Sequence, residues 1–172
     1  CVSGMQSISS ACQAILAGDG ELYLCGGVES MSTSPYVVRG ARWGLKLRHD
    51  TFVDTLWEDL TDPVCGLMMG ATAENLAMMY DISREEQDKF AMLSHKKAFR
   101  ATRMGRFRDE IMPVRVSKVV AGQEVAYEDI VQDECINPTL TLQKAALYPN
   151  VFKKGGSVTP ANPCPISDGA AA

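Results

Sequence analysis

The sequence is poor in several things that mark common classes of protein. Only 7% of its 172 residues are aromatic, only two are histidine, and Lys plus Arg (17) nearly balances Asp plus Glu (21), for a net charge of −4. With no basic excess, wholesale electrostatic binding of nucleic acid is excluded. No apolar run approaches the ~18 residues that a membrane-spanning helix needs, so no membrane span is expected. Six cysteines are present (Cys1, Cys12, Cys25, Cys65, Cys135 and Cys164). None forms a CxxC pair and none lies beside a histidine, so a zinc site, or any metal site, is not expected. An even number of cysteines does not imply disulfides at this length, and Cys12 and Cys25 read as small core hydrophobes. A reducing compartment is expected, and cytoplasm, mitochondrion and peroxisome are all compatible with it. No GxGxxG or Walker pattern cradles a phosphate, and no internal repeat is visible.

What is present is an ordinary globular composition, 46% hydrophobic and 22% charged, enough apolar material for a core. From Ser3 to Ala17 the apolar residues Met5, Ile8, Cys12, Ile15 and Leu16 recur at steps of three and four, and Gly18 and Gly20 follow. This pattern predicts a helix starting just after Cys1. Its other positions carry no charge, so the helix is expected to be enclosed on most sides. Glu21 to Cys25 reads as a short buried strand ending at Gly26-Gly27, and the succession of helix, turn and strand points to an α/β layer structure with a parallel or mixed sheet.

After Met31 the composition changes. Residues 32 to 70 mix Ser, Pro, Gly, Arg and Trp without a sustained period, as in a long excursion from the first core. Thr72 to Tyr80 reads as a short helix with Thr72 as its cap, Gly70 as a close-approach position and Glu74 in a structural role. Ser83-Arg84-Glu85-Glu86 is a capping box that opens a helix to about Met104. Glu110 to Val116 and Glu124 to Ile130 read as strands joined by a turn at Ala121-Gly122, and Leu140 to Leu147 as a last short helix. The Gly- and Pro-rich remainder reads as a return path. The chain starts at Cys1 and stops in an alanine run after Ser167-Asp168-Gly169, and is expected to be an internal piece of a longer protein.

Cys1 is the first candidate for chemistry. A cysteine at a helix start has its thiolate stabilised by unpaired backbone N–H groups and by the positive end of the dipole, and the small neighbours Ser3 and Gly4 leave room for an acyl group. Set against this, Cys1 is equally well just the point where the chain starts. A third reading, an N-terminal-nucleophile hydrolase, is opposed by the helix that follows. Two basic clusters stand out. Lys96, Lys97, Arg100, Arg103, Arg106 and Arg108 read as a solvated helical face, and His95 beside them as a surface residue. Arg39, Arg42, Lys46, Arg48 and His49 lie in a long loop and could receive phosphate groups or an acidic partner.

Five blocks, taken in order, resemble the thiolase family of acyl-CoA C-acyltransferases. They are Cys1-Val2-Ser3-Gly4-Met5-Gln6-Ser7-Ile8, Gly26-Gly27-Val28-Glu29-Ser30-Met31-Ser32, Met69-Gly70-Ala71-Thr72-Ala73-Glu74-Asn75, Ile82 through Asp88, and Val158-Thr159 through Ala171. The resemblance implies a partial thiolase fold (layered αβαβα). In that fold residues 1–31 belong to the N-terminal half, 32–160 form the loop domain over the active site and CoA, and 161–172 return to the N-terminal half. It implies that Cys1 is the nucleophile that becomes a thioester, and that Met69, Leu147, Phe152 and Cys164 contact substrate and CoA. No cofactor is implied, CoA being a substrate. The implied partners are acyl-CoA and CoA, with a homodimer or homotetramer as the assembly.

The family's second cysteine and its GHP histidine belong to the C-terminal half, and neither His49 nor His95 is followed by proline. Further departures are Val2 where a glycine is common, Met68 where biosynthetic members carry histidine, and Cys164 in place of a serine that contacts the pantetheine. A non-catalytic thiolase-like protein that binds acyl-CoA or lipid is the alternative within the family.

Overall fold

The computed structural model describes the backbone of residues 1–172 and every side chain except those of Val119, Val120, Glu124 and Val125. In chain order the elements are α1 (Ser3–Ala17), β1 (Gly27–Glu29), β2 (Tyr36–Val37), β3 (Val53–Asp54), α2 (Thr55–Asp59), α3 (Met69–Met79), α4 (Arg84–Arg103), β4 (Val114–Val120), β5 (Gln123–Ile130), α5 (Leu142–Ala146) and β6 (Gly169–Ala171). Short 3-10 turns stand at Met31–Thr33 and Ala41–Trp43. Two compact units divide the chain. The first is Cys1–Met69 with Pro165–Ala172, and the second is Gly70–Cys164.

In the first unit α1 runs over the predicted residues. Gly18 ends it in the left-handed region at φ 80°, donating its N–H to Ile15, while Asp19 N–H reaches back to Ala14. Only glycine enters that region without a Cβ clash. The expectation of enclosure fails. None of its residues is buried, Met5 is 68% and Leu16 83% exposed, and Cys12 is exposed rather than a core residue. The apolar stripe is real, but within its unit the main element packed on α1 is the three-residue β1.

The expected strand at Glu21–Cys25 also fails. Leu22 and Leu24 are 92% and 89% exposed, and the ladder forms further on, where Gly27, Val28 and Glu29 pair antiparallel with Ala171, Ala170 and Gly169. A strand exists only where a partner edge accepts its hydrogen bonds, and residues 21–25 find none among the described residues. The remaining ladders, β2 with β3 and β4 with β5, are antiparallel too, so the expected parallel or mixed sheet is not formed among the described strands.

The second unit follows the sequence signals more closely. Ser83 and Glu86 complete the capping box: Ser83 Oγ accepts from Glu86 N–H at 3.2 Å and the Glu86 carboxylate accepts from Ser83 N–H at 2.8 Å. Ala121 and Gly122 turn the β4–β5 hairpin at φ 51° and 79°, the geometry that matches strand twist in a two-residue loop. β4 starts at Val114 and not at Glu110, because residues 104 to 110 continue the end of α4 as turns. Thr72 lies inside α3, which begins three residues earlier, and so is not its cap. Thr141 caps α5 through a bond from Lys144 N–H. The apolar core is small. Leu140, Ala145 and Ala161 form its centre with Met92 against them, and Ala91 and Val158 are also buried.

Candidate active site

Cys1 is exposed and sits two residues ahead of α1. Val2 is the capping position, and its carbonyl accepts from Gln6 N–H at 2.8 Å. No side chain caps the first turn, and that turn carries no acidic residue. The positive end of the helix therefore has no side-chain counter-charge of its own, which is the setting that favours a thiolate or an oxyanion over its neutral form.

The first turn is located by a backbone-to-backbone contact. A Cβ on Gly27 would lie 3.2 Å from Gly4 Cα and 3.3 Å from Gly4 N, so β1 runs directly against the start of α1. Ser7 Oγ donates to the Gly4 carbonyl at 2.6 Å, and Cys25 Sγ lies 3.7 Å from the Ser7 carbonyl. Gly4, Ile8, Cys25, Gly27 and Ala171 line an open hollow of about 390 Å³ at this junction. One further tie closes the unit. The Asp168 carboxylate accepts from Ser32 Oγ and from Ser32 N–H (2.9 Å), and these two donors hold its carboxyl below the usual carboxylate range.

In the second unit the polar core converges on the loop 156–162. Glu74 on α3 is 5% exposed, and its carboxylate accepts from Ser157 N–H (2.9 Å), Ser157 Oγ (3.1 Å) and Val158 N–H (2.7 Å). Burial pushes this carboxyl up, but the Val158 and Ser157 donors, with Lys153 nearby, outweigh it and hold the group below its ordinary range. Asp88 on α4 is 3% exposed and accepts from Asn162 Nδ2 (2.9 Å) and Arg84 Nε (2.7 Å). Asn162 also donates to the Ser157 carbonyl and accepts from Thr159 N–H, each at 3.0 Å.

Met69 is the first residue of α3 and is 48% exposed. Next to it in sequence, Gly70 is the close approach expected. A Cβ there would lie 2.2 Å from the Phe152 ring, so the ring lies on a glycine face. Leu147 ends α5 at 84% exposure, and Cys164 is exposed two residues after the anchored Asn162. Phe152 is thereby tied to α3, and Cys164 lies close in sequence to a residue tied to α4. Cys1 belongs to the first unit, and Leu147, Phe152 and Cys164 to the second.

The loop cations do not form a closed site. Arg39 pairs with Glu58, while Arg42, Lys46, Arg48 and His49 are exposed. The helical cations are solvent-facing as expected. His95 is half-buried and accepts from Asn137 N–H at 3.1 Å through Nδ1, a structural use the sequence did not reveal. All six cysteines are free, and among the described residues no three His, Cys, Asp or Glu side chains are grouped to hold a metal. Glu74 was legible as structural, but Asp88 and Asn162 were not. The only signal for Asp88 was its place four residues after Arg84, inside the capped first turns of α4.

The family model for the thiolase N-terminal domain matches residues 1–172. The mitochondrial 3-ketoacyl-CoA thiolase of Mus musculus is 46% identical over 173 aligned positions, which take in 100% of this chain and 42% of the relative. A probable acetyl-CoA acyltransferase of Staphylococcus epidermidis is 46% identical, with 100% and 43% covered. Among solved structures, the human mitochondrial 3-ketoacyl-CoA thiolase in complex with CoA superposes with a TM-score of 0.88 at 43% identity, covering 99% of this chain and 41% of that one. The Bacillus anthracis acetyl-CoA acetyltransferase gives 0.91 at 42% identity, covering 99% and 42%. The chain spans less than half the length of these relatives. Its helices and strands thus make up part of the α/β thiolase fold.

Proposed function

The chain belongs to the thiolase family, and from that premise we propose that the protein containing it is an acetyl-CoA C-acyltransferase with Cys1 as its nucleophile. The Cys1 thiolate adds to the keto carbon of a 3-ketoacyl-CoA. The bond between C2 and C3 breaks, and acetyl-CoA leaves after its carbanion takes a proton from a general acid, whose conjugate base then takes the proton of the second CoA thiol. A second CoA thiolate then attacks the Cys1 thioester, carrying off the shortened acyl chain and returning the thiolate. The reverse sequence is a Claisen condensation. CoA enters as a substrate, and no metal has a role in these steps.

The observation that supports this reading best is the uncapped, uncharged first turn of α1 two residues after an exposed Cys1. An anion on sulfur or on the carbonyl oxygen of a tetrahedral adduct gains from such a helix end. In this reading residues 32–160 form the loop domain, with Met69, Leu147, Phe152 and Cys164 toward substrate and CoA. The protein assembles as a homodimer or homotetramer. Incubating the full-length protein with acetyl-CoA and digesting it for mass spectrometry tests the assignment. The expected result is an acetyl group on the peptide carrying Cys1, and an adduct confined to another cysteine overturns it.

A further inference from the structure

Among the described residues the loop 156–162 belongs to no strand, Pro160 within it has no N–H to donate, and its one backbone bond to a segment outside its own turns is from Val151 N–H to the Val158 carbonyl (3.1 Å). Side chains supply most of its other ties. Glu74 receives Ser157 and Val158, Gln87 donates to Ser157 Oγ at 2.9 Å, and Asn162 bridges Asp88, the Ser157 carbonyl and Thr159 N–H. Approach to Glu74 is so close that a Cβ on Gly156 would lie 2.3 Å from its Oε1. Two nearly buried carboxylates are an expensive way to fasten a surface loop unless its position matters, since each must be matched by donors of the right geometry.

From this geometry we infer that Glu74 and Asp88 are positioning residues for CoA, fixing through Asn162 and Ser157 the loop that carries Cys164. The inference rests on the acyltransferase reading and deepens it. Asn162 is held at three points, and Cys164 follows after only Pro163, whose ring fixes its φ. At ~3.5 Å of reach per residue, any slip of Asn162 is passed to Cys164 almost undiminished. The same α4 controls the other flank. Arg84, bonded to Asp88, donates to the carbonyls of Ala145 (2.6 Å) and Tyr148 (3.2 Å) on either side of Leu147. One carboxylate on α4 is thus linked to the segments that carry two of the four candidate contacts, Leu147 and Cys164, and the oxygens of Glu74 and Asp88 are engaged by donors of the protein itself.

The test uses the full-length protein with Glu74→Gln and Asp88→Asn. Both Glu74 oxygens face N–H donors, so the amide group of glutamine, in either orientation, turns its own hydrogens toward one of them. The expected result is a rise of about tenfold in the Kd of CoA by calorimetry and in the KM for CoA, with kcat within about twofold, as for loss of one charge-assisted bond. Ser157→Ala, which keeps both backbone bonds to Glu74, is the milder variant if the others do not fold, with an expected rise of about two- to threefold. Asp54→Ala is the control. It removes the side-chain cap of α2, in the other unit, so it lowers stability without touching the loop and is expected to leave KM for CoA unchanged. Unchanged Kd in folded Glu74→Gln and Asp88→Asn overturns the inference, as does an equal rise of KM in Asp54→Ala. A wild-type protein that binds no CoA at all overturns the acyltransferase reading and this inference with it.

Discussion

Every side chain that is buried among the described residues lies between Gly70 and Cys164, and none lies in the unit that carries Cys1. The first unit contains the more uniformly apolar helix, yet its stripe is open to solvent. The second contains the charged helix α4, whose mean composition is hydrophilic, and it is there that Asp88 and Ala91 are buried. Burial thus follows the presence of a partner and not the apolar content of an element. In the second unit the partners come from the same chain: α5 lies on α4, and the 156–162 loop is fastened to α3 and α4. The main neighbour that the first unit offers α1 is a three-residue strand. The contrast separates two tasks. One unit presents an exposed thiol at a helix end, and the other supplies a self-contained scaffold with a polar core.

The largest effect expected of a single change that separates these tasks is chemical. Cys1→Ser in the full-length protein should lower CoA-dependent cleavage of acetoacetyl-CoA by well over ~100-fold, because an alcohol at a helix end is far less ionised than a thiol. As Cys1 is exposed, the melting temperature should stay as it was. A variant with a comparable rate would remove the chemical half of the comparison.

The stability half is tested by two truncations in the 172-residue chain. Leu140→Ala, in a residue 4% exposed, should cost about 2–4 kcal/mol in denaturant unfolding. Ile8→Ala, at 60% exposure on the apolar stripe of α1, should cost less than about 1 kcal/mol. Equal costs would mean that α1 is covered in solution.

A smaller effect concerns acid. The Glu74 carboxyl is held below its ordinary range in the folded protein, so its contribution to stability is present above the unfolded value of ~4.3 and is lost as pH falls through the lower, folded one. Other carboxylates with lowered values, Asp62, Glu86 and Asp168, add to the same slope. The diagnostic is therefore a difference. Unfolding midpoints measured below pH 5 should fall less steeply in Glu74→Gln than in the wild type, and identical slopes would show that Glu74 is not charged in its tie to the loop.

The smallest effect belongs to Cys164, which is exposed and flanked by Pro163 and Pro165. A thiol is a weak hydrogen-bonding group, and neither proline can offer an N–H in its stead. Cys164→Ser in the full-length protein is expected to tighten CoA binding by about 0.5–1.5 kcal/mol, a few-fold in Kd by calorimetry, with the acylation rate at Cys1 unchanged. Weaker binding would mean that this loop does not meet the pantetheine.

Much of this organisation was legible from residue order alone, for reasons that are local. The limits of α1 and α4 are written in Gly18 and in the Ser83–Glu86 box, and the hairpin in Ala121-Gly122, because caps and turns are decided by a few adjacent residues. The start of α1 just after Cys1 was legible in the same way, from the spacing of Met5, Ile8, Cys12, Ile15 and Leu16. What failed were statements about surroundings: the enclosure of α1, the burial of Cys12, and the strand at 21–25. Each depends on a second element, and periodicity shows which face is apolar without saying what lies on it. The tie between Asp88 and Asn162 was hidden for the same reason, as it joins residues 74 positions apart.

The pairing of β1 with β6 also bears on the order in which the chain folds. Its clip, Ser32 with Asp168, spans 136 positions, and closing a loop of that length costs ~4 kcal/mol in chain entropy before any bond is made. A ladder of three residue pairs is too short to offset that cost alone. The second unit gathers most of the intervening residues through its own contacts, and once it has formed, the free chain left between the two strands is much shorter. Folding should therefore begin in the Gly70–Cys164 unit, with the β1–β6 edge as the late step and the first to open when the chain is stressed.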